Sequence, residues 1–361
     1  MTGPRWVWLV ICVAFACLCG GVVAGVLLFR GCENLTADDP GWWPPWTDDE
    51  PVGFSEGLGR VEVGGRRGYL DRQGKVVIVP CFDMAWHFSQ GRAMVSVEGR
   101  RGYIDPNGRI AIPPIYEDGR HFAMGLAAVK SGGKWGFVDR AGKWVVRPTY
   151  ETVIEEYRDG LACVRLNGSW GYIDRKGKWA IKPQYEGAWA FSNGLGAVRV
   201  EGKWGWIDTS GKEVVKPRFD QIRYFSKEPD FAPVRVGQQW LYIDKTGKTR
   251  IGPLAAGMEP ATFTEGLGMV ITPAGKHGFL DVAGRIAIPT RYDGSKGFSE
   301  GLADAAIVGK GIGFIDKKGQ FQVPPQFAEA LPFSEGLAKV KVGDEWGYID
   351  KEGRWLWEPT K

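Results

Sequence analysis

The feature that most constrains this chain is its self-similarity. An aromatic residue, a short polar turn and, in most copies, Gly-Leu return at Phe54, Phe88, Phe122, Tyr157, Phe191, Phe225, Phe263, Phe298 and Phe333. The intervals are 34 or 35 residues, except for 38 between Phe225 and Phe263. An aromatic–aliphatic–Asp triplet recurs in all nine units, from Tyr69-Leu70-Asp71 through Phe137-Val138-Asp139 to Tyr348-Ile349-Asp350. A period of this size marks a repeat architecture, and a unit so short cannot bury an apolar face by itself. Neighbouring units must supply the core.

Residues 191–224 show what one unit encodes. Ala197-Val198-Arg199-Val200 has the alternation of a half-buried strand. Glu201-Gly202 provides a tight turn, and Trp204-Gly205-Trp206-Ile207-Asp208 is a second strand whose two Trp share one face. Asp208 and Gly211 turn the chain again, the carboxylate accepting from backbone amides. A third strand follows to Lys216 and stops at Pro217, which has no amide hydrogen to donate. Phe219-Asp220 begins a short fourth strand or a bend toward the next unit. The expected fold class is all-β, a tandem array of nine β-meander repeats spanning residues 53–361. Propellers usually have four to eight blades, with repeats of about 40–45 residues in the best-known type. Nine shorter units favour an open or superhelical array, with a closed propeller-like ring as the alternative.

The strings Lys134-Trp135-Gly136-Phe137-Val138-Asp139, Trp170-Gly171-Tyr172-Ile173-Asp174, Lys203-Trp204-Gly205-Trp206-Ile207-Asp208 and Trp346-Gly347-Tyr348-Ile349-Asp350 resemble the signature of the WG-containing repeat family, also called KWG repeats. Flanking Phe-Ser-Glu-Gly-Leu and Pro-x-Tyr-Asp elements extend the resemblance over about residues 54–359. It implies a tandem β-repeat protein, mostly bacterial, used for binding or scaffolding, and sometimes placed beside transmembrane or signalling segments. Some units depart from the pattern. Arg67, Arg101, His277 and Ile312 replace the Trp. Unit six lacks the Gly in Trp240-Leu241, and Leu254-Ala255 stands where others carry an aromatic–acid pair. An internal divergent unit marks a bend in the array or a special surface, and the bend is expected.

Residues 6–29 hold 24 uncharged positions between Arg5 and Arg30, enough for a helix across a bilayer core of about 30 Å. Residues 1–30 are therefore expected to be a transmembrane anchor. Cys19 follows Leu18, a poor lipoprotein-processing site; cleavage near Gly20–Ala24 is a second alternative. Residues 31–52 read as a tether rich in Pro, acids and Trp42, Trp43 and Trp46. The basic flanks are nearly balanced, and the expected orientation puts the repeats outside the cytoplasm.

Little in the repeats resembles a catalytic set. The recurring Asp, including Asp139, Asp174, Asp208 and Asp350, are expected to cap turns, since a calcium loop needs six to eight oxygens. His87 and His121 sit at equivalent phases of two units, and His277 occupies a Trp slot, so the three make no ligand set. Cys81 and Cys163 lie at different phases, which argues against a disulfide framework. No cofactor or metal is expected. Nor is nucleic acid, because the chain has 46 basic and 42 acidic residues and no strong positive field. Residues 1–50 take two of those basic and six of those acidic side chains, so the repeats are more basic than the whole.

The i, i+2 aromatics at Trp135, Trp170, Trp204, Trp240 and Trp346 are expected in the stacked core. Trp144, Trp179 and Trp355 occupy a slot filled elsewhere by Val76, Ile110, Glu213 or Thr249, and are candidates for surface contact. The expected function is a non-catalytic, membrane-anchored scaffold for a protein partner. A cell-envelope carbohydrate or peptidoglycan binder is the alternative.

Overall fold

The computed structural model describes residues 53–358. The expected anchor, the whole expected tether and the last three residues of the repeat region lie outside them. The described residues form nine sheets of four antiparallel strands each. Blade four is representative: Thr152–Arg158, Leu161–Leu166, Ser169–Asp174 and Trp179–Tyr185, paired in sequence order. The repeat marker therefore falls inside a blade. What looks from sequence like the tail of one unit is the first strand of the next, as in Gln221–Ile222 after Phe219.

Each recurrent residue has a job in joining blades. The Ser after the marker aromatic donates to the next marker's carbonyl, Ser55 to Phe88 (2.8 Å) and Ser89 to Phe122 (2.7 Å). The polar residue beyond it accepts from the next blade's turn amide, Glu56 from Gly91 (2.9 Å) and Gln90 from Gly125 (2.8 Å). The triplet tyrosine reaches the carbonyl of the following first strand, as Tyr103 does to Arg120 (2.7 Å) and Tyr172 to Trp189 (2.9 Å). Its ring stands edge-on to the next marker aromatic, 5.0 Å between centroids for Tyr103 and Phe122. The core thus lies between blades: Phe137, Val146 and Tyr150 of blade three pack with Val153, Tyr157 and Ile173 of blade four.

The glycine after Trp answers a steric demand within the blade. Trp170 pairs with Tyr185 but Tyr172 pairs with Ile181, so the fourth strand carries two extra residues opposite Gly171. A Cβ there would lie 2.7 Å from the Ile181 oxygen and 2.7 Å from the Pro183 nitrogen. The bulge and its Pro need the glycine's missing side chain. Blade six has Leu241 instead. Its fourth strand is cut to Thr249–Ile251 and the chain leaves through residues 252–258. No bend results, because Tyr242, Ile251, Phe263, Val270 and Leu280 pack blade six on blade seven as elsewhere.

The expected open array does not form. Ser334 donates to the Phe54 carbonyl (2.7 Å), Glu335 accepts from Gly57 N (2.9 Å), and Tyr348 donates to the Arg60 carbonyl (2.7 Å). Phe54 and Tyr348 make the edge-on ring contact at 5.0 Å. Phe54, Val61 and Leu70 share a core with Leu337 and Tyr348. Blade nine meets blade one through the interface used between successive blades, and the nine blades close a ring. Short units with blade-to-blade bonding at both edges leave no terminal surface to cap, which overrides the blade-count prior. Among the described residues no sheet mixes strands from the two ends, so closure rests on side-chain packing and these bonds. Three ion pairs cluster toward the seam: Lys317–Glu265 (3.1 Å), Lys351–Glu300 (3.3 Å) and Arg72–Glu335 (2.7 Å). All are partly solvent-exposed and each adds at most about 1 kcal/mol.

Candidate interaction face

One end of the ring carries the turns between second and third strands and the connectors between blades. The acid after the fourth-strand aromatic fixes these turns by accepting from a backbone amide one blade on. Glu117 takes Gly132 N (2.8 Å), Glu151 takes Asn167 N (2.9 Å), Glu186 takes Glu201 N (3.0 Å) and Asp220 takes Gly237 N (2.7 Å). Lys203 and Lys276 bridge to Asp220 and Asp293 beside the same turns.

Just inside this rim, the Trp slot of the third strand meets the residue two before the marker aromatic on the first. In blade three the Arg120 guanidinium lies 4.7 Å over Trp135. Blade two reverses the partners, with Arg101 from the third strand 4.4 Å over Trp86 of the first. Blade five sets two indoles, Trp189 and Trp204, tilted against each other at 5.4 Å, and blade six places Arg223 5.4 Å over Trp240. Blade nine sets Lys339 and Lys341 5.2 and 5.8 Å from Trp346. The missing Trp of unit two is thus compensated across the sheet, which a reading of one strand at a time could not find. A cation over an aromatic face gains about 0.5–2 kcal/mol, depending on desolvation.

Burial divides the Trp slot. Trp135 and Trp240 are buried, whereas Trp170, Trp204 and Trp346 are half-buried with an edge at the rim. Trp144, Trp179 and Trp355 lie away from this rim, at the start of fourth strands. Trp144 stands edge-on to Tyr116 and Trp179 to Tyr150, both at 5.8 Å, and Trp355 to Phe327 at 6.0 Å. Trp355 is the most open of these three, at 38% exposure. Asp139, Asp174, Asp208 and Asp350 each accept two amides of their turn, as Asp174 does from Lys176 N (2.8 Å) and Lys178 N (2.9 Å).

Toward the axis the first strands carry polar side chains. Tyr224 of blade six donates to Glu155 of blade four (2.8 Å), a contact that passes over blade five and is possible only near the axis. His87 and His121 stack at 3.7 Å. Burial, with Arg60 nearby, pushes the His87 imidazole down to about 4. Burial, then His87, Arg60 and Arg120, push His121 down to about 3. Both rings are therefore neutral near pH 7. Burial holds the Cys163 thiol far above its ordinary range, so it is a packed side chain rather than a thiolate nucleophile. Among the described residues no three His, Cys, Asp or Glu are arranged to hold a metal ion, and no helix is long and apolar enough to cross a membrane.

The profile of the family described as "WG containing repeat" matches residues 68–100, 102–135, 135–170, 170–204, 204–240, 278–309 and 312–346. The matches leave out the first two strands of blade one, residues 241–277, where blade six loses its bulge glycine and connector acid, and the residues after 346. Among curated proteins none matches the sequence. Among solved structures, a eukaryotic initiation factor shares the fold at a TM-score of 0.56 and 10% identity, over 81% of this chain and 93% of that one. AztD from Citrobacter koseri aligns at 0.44 and 15% identity, over 77% and 96%. BamB from Moraxella catarrhalis aligns at 0.42 and 10% identity, over 74% and 94%.

Proposed function

The chain belongs to the WG-containing repeat family, and from that premise we propose that it is a non-catalytic interaction module that holds a protein partner on the rim of the ring. The observation that carries this reading is the row of aromatic–cation stacks on that rim. Trp and Arg dominate binding energy at protein interfaces, because they combine apolar area with directional donors. Here they are pre-positioned by the sheet, so docking orders few side chains. The half-buried Trp170, Trp189, Trp204 and Trp346 present ring edges to such a partner. The ring would be tethered to a membrane through residues 6–29, with the repeats outside the cytoplasm. Protease digestion of the repeats in intact cells, compared with lysed cells, tests that placement.

The test of the rim uses a photo-crosslinking amino acid at position 204 and, in parallel, at Lys182, an exposed fourth-strand position. The proposal expects a discrete protein adduct from position 204 and none from position 182. Equal labelling at both positions refutes it. An envelope glycan is the second reading, favoured only by the exposed edge of Trp355. Unchanged glycan retention by a W144A/W179A/W355A variant would remove it.

A further inference from the structure

We propose that the cleft between blades six and seven, on the rim, takes the carboxylate of an acidic side chain from the protein partner. This inference rests on the rim being the partner's face and names the chemistry recognised there. The cleft holds about 370 Å³, between Arg235, Gln238 and Trp240 of blade six and Gly257, Met258 and Glu259 at the entry to blade seven. The departures of unit six from the repeat shape it. Blade four passes from its fourth strand to the next blade between Ile181 and Gly187, whereas blade six takes Ile251 to Glu259, two residues more. Ala255 also leaves this connector without the acid that elsewhere clasps the following turn.

Two guanidinium groups converge on one indole beside the cleft. Arg223 lies 5.4 Å and Arg235 6.0 Å from the Trp240 ring. The second-strand position of Arg235 meets an acid in other blades: Arg165 lies 3.9 Å from Glu151, and Lys341 lies 2.9 Å from Glu329. In blade six the corresponding acid, Asp220, is occupied by Lys203 of blade five and by Gly237 N. Arg235 Nε is buried and has no hydrogen-bond partner among the described residues. A desolvated donor without an acceptor is costly, and a carboxylate answers a guanidinium with two parallel bonds. Gln238 adds a neutral amide donor, while Met258 and the edge of Trp240 give apolar surface to the stem of an acidic side chain. Glu259, which is exposed, is the one acid lining the cleft. It disfavours a more highly charged anion, so the cleft selects a single carboxylate over a phosphate.

The test is a ligand-observed NMR titration of the full chain at pH 7 with the acetylated, amidated peptide Leu-Glu-Leu and its Leu-Gln-Leu counterpart, at constant ionic strength. The two probes differ only in carboxylate against amide. The proposal expects saturable binding of the Glu peptide, about tenfold or more tighter than the Gln peptide. R235M should abolish that preference, whereas the charge-matched K182M should keep it within about twofold. E259Q should bind the Glu peptide about twofold tighter or more, because a repelling charge is removed. No saturable binding, equal binding of the two peptides, a preference that survives R235M, or unchanged or weaker binding by E259Q overturns the site. The parent's preference and the gain in E259Q stand as the test if R235M does not fold. A protein adduct from position 204 without peptide binding would remove this inference and leave the rim reading in place.

Discussion

Replacing Gly171 with Ala tests the account of the Trp-Gly pair. The new Cβ would lie 2.7 Å from the Ile181 oxygen, 2.7 Å from the Pro183 nitrogen and 2.9 Å from the Lys182 carbonyl carbon. All three are backbone atoms of a bulge, so no side chain can swing aside. Relief requires the fourth strand to lift, which loosens the pairing of Trp170 with Tyr185 and the packing of Ile181 in the interface with blade five. Overpacking of this kind costs about 1–3 kcal/mol, and partial loss of a buried aliphatic contact adds about 1 kcal/mol. We therefore expect G171A to destabilise by roughly 3 kcal/mol. Gly168 is the control: its φ is +79° and a Cβ there meets nothing within 4 Å, so G168A should cost only the left-handed backbone penalty of about 1–2 kcal/mol. Urea denaturation gives the two values, and amide exchange should show G171A opening residues 179–185 first. Equal costs for the two variants, or unchanged exchange in the fourth strand, would refute the reasoning.

Exchanging the partners of blade two should reproduce the arrangement of blade three: W86R and R101W each destabilise, and the W86R/R101W double variant recovers about 0.5–2 kcal/mol in a thermodynamic cycle. Removing the turn carboxylate in D174A should cost about 1 kcal/mol, whereas W135A, which empties a buried site, should cost about 3–5 kcal/mol by the same denaturation assay. Stability should fall on acidification from pH 6 to pH 4, because unfolding lets His87 and His121 bind protons that the folded ring refuses. Asp304, raised by burial to about 6, opposes this by holding a proton in the folded state, whereas His277, lowered by burial, and hydrogen-bonded carboxylates held low, such as Asp208 and Asp220, add to the loss, so the net slope keeps its sign. An H87Q/H121Q variant that keeps the parent's slope would remove that explanation.

The repeat, most of its strands and its turn chemistry were legible because each depends on contacts within one unit or between equivalent positions of successive units; the strand expected to stop at Pro217 instead runs through it to Phe219, because the bulge opposite Gly205 accommodates the proline. The period of two, the Asp-capped turns and the Trp-Gly pair carry that information locally. Closure was not legible. It depends on the small rotation accumulated over nine interfaces, and Ser334, Glu335 and Tyr348 are the same residues an open array would carry. The role of Gly171 was visible only as a close approach; the bulge that demands it needed the register. The aromatic–cation stacks were hidden because partners such as Trp86 and Arg101 sit on non-adjacent strands and trade places between blades. The expected bend at unit six failed because Leu241 displaces only the fourth strand, leaving the blade-to-blade core of Tyr242 and Phe263 in place.

The closed ring is most directly tested by zero-length carbodiimide cross-linking of an R72K variant, read by mass spectrometry of the monomer band. Lys351–Glu300 and Lys317–Glu265, at 3.3 and 3.1 Å across successive interfaces, serve as internal controls. The ring predicts a cross-link from position 72 to Glu335 in a yield comparable with these controls. In an open array the same residues would be separated by eight stacked sheets, or about 80 Å at roughly 10 Å per sheet. Control links without the link from position 72 to Glu335 would contradict closure.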